Sequence, residues 1–397
     1  MTRSPWVRAA LGLLGAVVLV FAGVRVARVA VEGQFVKSLG PLEPAAYTRP
    51  PVKAEANAAR YFLAAAGKLT LTPEEAKALA AANPVGFEGS LPAVEGLLAK
   101  NDGALRLAKE GAGLWQSYYG LDYSAGLQTR LADMPQLVLL GRLLALEAQL
   151  AIARRETGRL AKTLSALGSL AASLEQEPGL PVFAAGLTLE RWQLALVGQA
   201  AGNSGLSRVR VASLAPVLSP VNLPALFPRV VALEEASLRK ALPEPSGPGQ
   251  VLASDYLRLR SARHALELAG MARQPCARWA SSLSWSELDN HSARLLSVLA
   301  QAQGVTAART LVRAALAASR HDAEHGALPF SLAVVPEAST PNPFTGEPLA
   351  FRRDEGVLEV PHGEEFWRQL ALPAPPPPFS VSLPLEGSAP LPAPPRP

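Results

Sequence analysis

Three observations predict an all-α fold, built as antiparallel helix pairs or a bundle on one N-terminal transmembrane helix, with a small C-terminal β-hairpin. The apolar residues are mainly Ala and Leu, while Val and Ile are scarce beyond the N-terminal segment and aromatics make up only 6% of the chain. Ala and Leu favour helix, whereas strands draw on β-branched and aromatic residues. The apolar positions recur at steps of three and four, and the breaks between successive stripes are short Gly- and Pro-containing turns, as antiparallel helix pairs require.

An uncharged run extends from Ala9 to Val24, bounded by Arg8 and Arg25. A spanning helix needs about 20 apolar residues. Val7 and the stretch from Val26 to Val31 lengthen the run, because the arginines can carry their charges out to the headgroups. Trp6 stands where an interfacial aromatic belongs. Residues 1–39 are therefore expected to form a membrane anchor and its helical extension. The competing expectation is a cleaved signal peptide ending near Val20-Phe21-Ala22. The flanking charges, Arg3 and Arg8 before the run and Arg25, Arg28 and Lys37 after it, leave orientation nearly balanced. An N-terminal anchor with a long following domain usually leaves that domain outside the cytoplasm, so an inner-membrane protein with a periplasmic body is expected.

Gly40-Pro41 and Arg49-Pro50-Pro51 break the chain, and residues 40–326 are expected to be a helical body. Thr72-Pro73-Glu74-Glu75 combines a cap, a Pro at the first helical position and a Glu that completes a capping box. Ser284-Trp285-Ser286-Glu287 repeats that spacing. The periodicity predicts helices near 135–157, 159–177, 181–201, 223–241, 250–273 and 304–325. In the second of these, Leu160, Leu164, Leu167, Ala171 and Leu174 form one apolar stripe. The segment around Leu137–Ile152 is apolar enough to suggest a second span, but Arg142 and Glu147 within it favour a buried helix.

In residues 327–372, Pro329, Pro336, Pro341, Pro343 and Pro348 forbid a continuous helix. Leu349–Arg353 and Val357–Val360 flank Asp354-Glu355-Gly356 and predict a hairpin packed on the body. Residues 373–397, with Pro375 to Pro378 in sequence, are expected to be a disordered or extended tail that buries little.

Composition excludes several functions. The net charge is +5 over 397 residues and no long run of like charge occurs, so no nucleic-acid tail is present. The single cysteine, Cys276, excludes an intrachain disulfide. No P-loop, dinucleotide fingerprint or nucleophile elbow occurs, and no cofactor is expected. His321-Asp322-Ala323-Glu324-His325 matches the inverted zinc-protease spacing, with His321 and His325 one helical turn apart as ligands and Glu324 as base. The stronger reading of the same residues is a helix C-terminus ending at Gly326, where the dipole favours His. Trp115, Tyr118 and Tyr119 are spaced to share one helix face, followed by Tyr123, and could form a binding surface for a sugar or peptide or simply pack.

The C-terminal segment resembles that of uncharacterised bacterial proteins with an N-terminal membrane helix and a long helical body. The likeness is carried by His325-Gly326, Leu328-Pro329-Phe330-Ser331-Leu332, and the run from Pro341 through Asn342-Pro343-Phe344-Thr345-Gly346-Glu347-Pro348-Leu349-Ala350-Phe351. About 25 residues of the same region are also similar to the C-terminal loop of type II secretion pseudopilins, with Asn342 where they carry Asp and Phe351 where they carry Tyr. The prepilin cleavage motif is absent. The first resemblance implies architecture alone. In the loop, Pro343 and Pro348 are expected to fix the chain, Gly346 to take a left-handed turn, and Phe344 and Phe351 to hold the loop on the preceding helix. The function expected is that of a non-enzymatic envelope scaffold binding another envelope protein. The alternatives are a zinc-dependent hydrolase using His321, Glu324 and His325, and a secretion or pilus accessory protein.

Overall fold

The computed structural model describes residues 5–84, 86, 91–114, 116–242, 246–280, 290–370, 372 and 375–385, with the backbone alone at 5–12, 91, 336 and 337. Helix accounts for 70% of the described residues and strand for 3%, so the predominantly α expectation holds. The chain divides into two compact units. One comprises residues 1–48, 122–129 and 227–271, and the other 49–121, 130–226 and 272–397.

The first unit is organised by α1 (Pro5–Ser38). Leu13 to Val20 are all exposed, and the segment Leu13–Ser38 is long and apolar enough to cross a membrane. From Phe21 onward one side of the helix is covered in part, with Phe21, Val24, Arg28 and Val31 half-buried and Phe35 fully buried. This three-and-four spacing faces one partner, α11 (Pro248–Met271), against which α1 packs. Arg28 Nη1 donates to Asp255 at 2.7 Å. Arg239, on α10 (Leu223–Ala241), joins Glu32 Oε1 at 2.5 Å to the Arg258 carbonyl at 2.9 Å. Residue 28 thus meets 255 while 32 is bridged to 258, so α1 and α11 run in the same direction. Beyond α1 the chain turns at Gly40, whose φ of +128° suits glycine, and Tyr47 closes the turn by donating to the Pro41 carbonyl at 2.8 Å. Burial raises the Tyr47 phenol to about 12 despite the nearby Arg229.

In the second unit, α2 (Ala58–Gly67), α3 (Pro73–Ala81), α4 (Leu91–Lys100) and α5 (Asp102–Gly111) are short, and α6 (Met134–Ala153), α7 (Thr157–Glu175) and α8 (Leu180–Gly202) are long. The capping box at α3 forms as the sequence predicts, with Thr72 accepting from the Glu75 amide and Glu75 from the Thr72 amide. The second such spacing, 284–287, lies outside the described residues. The α7 stripe Leu160, Leu164, Leu167, Ala171 and Leu174 is fully buried. Helix α6 is a core helix: Glu147 binds Lys109 at 2.7 Å, Arg159 at 2.8 Å and Thr163 at 3.1 Å, while Arg142 donates to two carbonyls of the α3 end and covers the Trp192 ring. After α9 (Arg208–Ala212) and a break comes α12 (Cys276–Ala280), then α13 (Asn290–His325), which packs on α8.

The C-terminal part departs from the expected hairpin. Strands β1 (Ala350–Arg352) and β2 (Val357–Glu359) pair antiparallel as predicted, with Phe351 opposite Leu358 and Gly356 left-handed at the turn. A third strand, β3 (Ser380–Ser382), pairs antiparallel with β2. It comes from the segment expected to be a free tail. Phe379, Val381 and Leu383 alternate with polar or exposed neighbours and are each nearly fully buried. That period of two is a strand signal, which the four preceding prolines mask in composition. Gly198 and Gly202, one turn apart on α8, let β3 lie against the helix: a Cβ on Gly202 would stand 2.7 Å from the Ser382 carbonyl oxygen. Residues 386–397 of the expected tail lie outside the described ones.

Candidate functional site

The residues singled out in the sequence do not converge on one site. His321 and His325 stack at 4.1 Å between ring centroids, and His325 Nδ1 lies 3.0 Å from the His321 carbonyl oxygen. Glu324 is exposed, and Asp322 pairs with Arg208 at 2.8 Å. Among the described residues no group of three His, Cys, Asp or Glu is placed to hold a metal ion, so the zinc motif finds no third ligand. The helix stops just after it because Gly326 takes a φ of +73° and donates to the Asp322 carbonyl.

The aromatic group is not a helix face. Residues 116–122 are not helical, and Trp115 lies outside the described residues. Tyr119 is buried and its hydroxyl meets Ser173 Oγ at 2.7 Å, with burial raising the phenol far above its ordinary value. Tyr118 is half-buried. Tyr123 is buried in the other unit, where its amide donates to Thr48 Oγ1 at 3.2 Å. The glycines at 111, 113 and 120 end the helix before the i, i+3, i+4 spacing can act, Gly120 being left-handed.

The loop residues are brought together. Gly346 has a φ of +82°, and Phe344 is fully buried among Phe366, Trp367 and Phe379 at 5.1 to 5.7 Å. The amides of Cys276 and Ala277, which open α12, donate to the carbonyls of Pro343 and Phe344, both at 3.0 Å. Phe351 is half-buried in β1, and Pro348 is exposed. Asn342, unassigned in the sequence, organises the turn: its Oδ1 accepts from the amides of Phe344 and Thr345, and its Nδ2 donates to Thr345 Oγ1 and the Glu347 carbonyl. Cys276 is buried, which pushes its thiol up and away from reactivity.

The site geometry that stands out was not foreseen. One face of α7 carries only small or neutral side chains, Ser165, Gly168, Ser169, Ala172, Ser173 and Gln176, and forms the floor of a groove of about 390 Å³. Residues 112–114 with 116–117 flank it on one side, and 216–221, which starts in a short 3-10 helix at Ala215–Val217, on the other. Ala112 and Ser117 meet Ser169 and Ser173 through the Ala112 carbonyl at 3.2 Å and Ser117 Oγ at 3.4 Å. Asn57 holds the far side of this wall. It accepts from the Tyr118 amide at 2.8 Å and donates to the Tyr118 carbonyl at 2.9 Å, while the Ala58 amide takes the Gln116 carbonyl.

The opposite wall, 216–221, is held by every second carbonyl. Gln193 on α8 donates to Val217 at 2.7 Å and Arg313 on α13 to Ser219 at 3.1 Å, and Arg309 on α13 donates to Val221. Arg309 is itself clamped by Glu190 through Nε at 2.6 Å and Nη2 at 2.7 Å, with both side chains buried. Glu175, at the end of α7, is buried beside Glu190, and neither of its oxygens has a partner as a carboxylate. Desolvation first, then the Glu190 charge and a hydrogen bond with Glu190, hold its pKa well above the ordinary 4.5, against the pull of Arg309. The protonated form of Glu175 is thereby favoured, and α7 and α8 close around it: a Cβ on Gly186 would lie 2.6 Å from Glu175 Cγ. Isolated Gln, Glu and Arg residues in Ala/Leu-rich helices are the only sequence signal for this construction.

Comparison with family models, with curated proteins and with solved structures returns no match.

Proposed function

We propose that this chain is a non-enzymatic scaffold of the bacterial envelope, anchored by a single uncleaved N-terminal span and binding another envelope component through its helical body on the outer side of the inner membrane. The observation that carries this reading is α1. Its apolar segment is exposed from Leu13 to Val20, and the same unbroken helix then packs on α11 from Phe21 to Phe35. That exposed apolar surface is unfavourable in water and suits lipid, and the apolar window long enough to span, Leu13–Ser38, runs on into the part seated on α11. Signal peptidases need accessible, extended chain, whereas the stretch around Val20-Phe21-Ala22 is mid-helix. The binding role is supported by the groove along α7, whose flanking segments are fixed by hydrogen bonds from Asn57 on one side and from Gln193, Arg309 and Arg313 on the other.

The test is membrane fractionation of the full-length protein. Resistance to carbonate extraction, an unshortened chain by mass spectrometry, and activity of a C-terminal reporter that works only outside the cytoplasm are the expected results. Full release by carbonate, or cytoplasmic reporter activity, would overturn the anchor or its orientation.

A further inference from the structure

We propose that the side of α1 turned away from α11 is where a second copy of this chain docks, as a parallel left-handed helix pair that begins in the bilayer and continues beyond it. This rests on the anchor reading above, because a shared membrane is what aligns the two copies. Four observations carry it.

The first is spacing. Gly15, Leu19, Ala22, Val26, Val29, Gly33 and Val36 follow one another at alternating steps of four and three, and every one of them is exposed. That is an unbroken seven-residue repeat, the pattern that lets two helices wind around each other left-handed and stay in contact. Val24, Arg28, Val31 and Phe35, the half-buried or buried positions, lie on the opposite side of the helix towards α11, so the seam is open.

The second is position. From Pro5 to Val24 the helix is about 30 Å long and already fills the hydrocarbon layer. Beyond it, Arg28 pairs with Asp255 at 2.7 Å on a helix that also carries Arg258, Arg260 and Arg263, groups that are expensive to hold in lipid. Val29, Gly33 and Val36 thus stand past the span, with Val29 58% and Val36 47% exposed. Lipid tails do not reach them, and the apolar row faces water unless protein covers it.

The third is the choice of glycine. A Cβ on Gly15 or Gly33 would meet nothing within 4 Å, and neither has a positive φ. Glycine weakens a helix relative to Ala, and nothing among the described residues calls for it at these two places. Close approach of a second helix backbone does, as at the small-residue seams of membrane helix pairs.

The fourth is charge, which selects the occupant. Copies aligned by a common bilayer meet residue for residue at equal heights, so the surface must match itself. The seam carries no charge to repel its own copy. At its edges in a parallel pair, the residue just before Val26 or Gly33 faces the residue five further on in the other helix. Glu32 then faces Lys37 of the other copy, and Arg25 faces Ala30. Lys37 is exposed and has no ion-pair partner among the described residues, while Glu32 meets Arg28 and Arg239 through Oε1, which leaves Oε2 for the lysine.

The test places single cysteines in the full-length chain, Val26→Cys, Val29→Cys and Val36→Cys on the seam and Gln34→Cys at an exposed position off it. Membranes of the expressing cells are oxidised with copper phenanthroline; Cys276 is buried, so wild type is the blank. The expected product is a disulfide-linked species of twice the chain's mass from the three seam positions, about fivefold or more above Gln34→Cys. In detergent micelles wild type should sediment as a dimer. Val29→Glu sets two like charges against each other at the seam and should weaken association about tenfold or more with unchanged circular dichroism. Val36→Glu does the same one heptad further on if Val29→Glu fails to fold. Equal cross-linking at Gln34→Cys, seam cysteines linked only to a protein of another mass, a monomer in micelles with no seam disulfide, or a dimer untouched by both glutamates would each overturn the proposal. Seam disulfides in a protein that carbonate releases refute the anchor alone. A carbonate-resistant protein that forms none refutes the pairing alone.

Discussion

Arg309 holds both oxygens of Glu190 at 2.6 and 2.7 Å inside the helical body, and its remaining nitrogen holds the carbonyl of Val221. One guanidinium therefore ties α13 to α8 and to a wall of the groove. Arg309→Ala leaves Glu190 buried without a counter-charge, and removing one partner of a buried pair costs about 3–5 kcal/mol. Thermal or denaturant unfolding of the full-length protein in micelles should show that loss. The double variant Arg309→Met with Glu190→Leu should recover most of it, since apolar isosteres remove both charges together. A loss under 1 kcal/mol for the single variant would mean that the pair is solvated.

Glu175 makes stability depend on pH. Its folded pKa lies above the ordinary 4.5, so the folded state prefers the neutral acid. The stabilisation from that preference is complete below about pH 4.5 and is lost as pH rises through the folded pKa. Within that window wild type should lose up to about 1.4 kcal/mol per pH unit from this group. Glu175→Gln cannot ionise, so the difference in Tm between variant and wild type should grow in the variant's favour as pH rises from 4.5. A difference independent of pH would show that the Glu175 pKa is not raised by folding.

The loop at 341–349 is structural in two separable ways. Phe344→Ala removes a fully buried ring from three aromatic neighbours and should cost about 3–5 kcal/mol. Gly346→Ala meets both an unfavourable φ of +82° and Pro275 carbons 3.2 Å from the new methyl, and should cost about 1 kcal/mol or more. Equal melting of wild type and both variants would contradict the packing described.

Much of this architecture is legible in the chain. The long helices begin and end within a few residues of where Leu/Ala periodicity and Gly/Pro breaks put them, except that α13 starts at Asn290, ahead of the 304 that the pattern suggests. The Thr72 capping box and the left-handed Gly346 follow from local chemistry alone. The groove is not legible, because its parts are ordinary residues far apart in sequence: Asn57 supports 116–118, and Gln193 and Arg309 support 217 and 221. The aromatic cluster misleads for the opposite reason. Its spacing fits a helix, but Gly113 and Gly120 on either side stop one from forming.

The C-terminal segment offers a sharp contrast with its composition. Deleting residues from Pro373 onward removes β3 and takes Phe379 off the face of Phe344, where the rings stack at 5.2 Å. The expected result is a Tm lowered by several degrees and β2 amides that exchange freely. The smaller variant Phe379→Ala should reproduce most of the drop, at about 3–5 kcal/mol. A truncated protein that melts with wild type would return this segment to the role of a loose tether.

Helix α1 carries no Pro, kink or loop between its exposed apolar part and the part seated on α11. A tether of flexible chain would let the body roam over the membrane and sample every orientation. A stiff rod behaves more like an axle. In a chain anchored as proposed, the angle at which the rod leaves the bilayer fixes the attitude of the unit built around α11, and any change in bilayer thickness that retilts the rod swings that unit with it. Because α1 and α11 run in the same direction, the first turns of α11 lie towards the bilayer end of the rod. Whatever this unit presents is therefore presented at a set height above the lipid, within about a helix length of the headgroups.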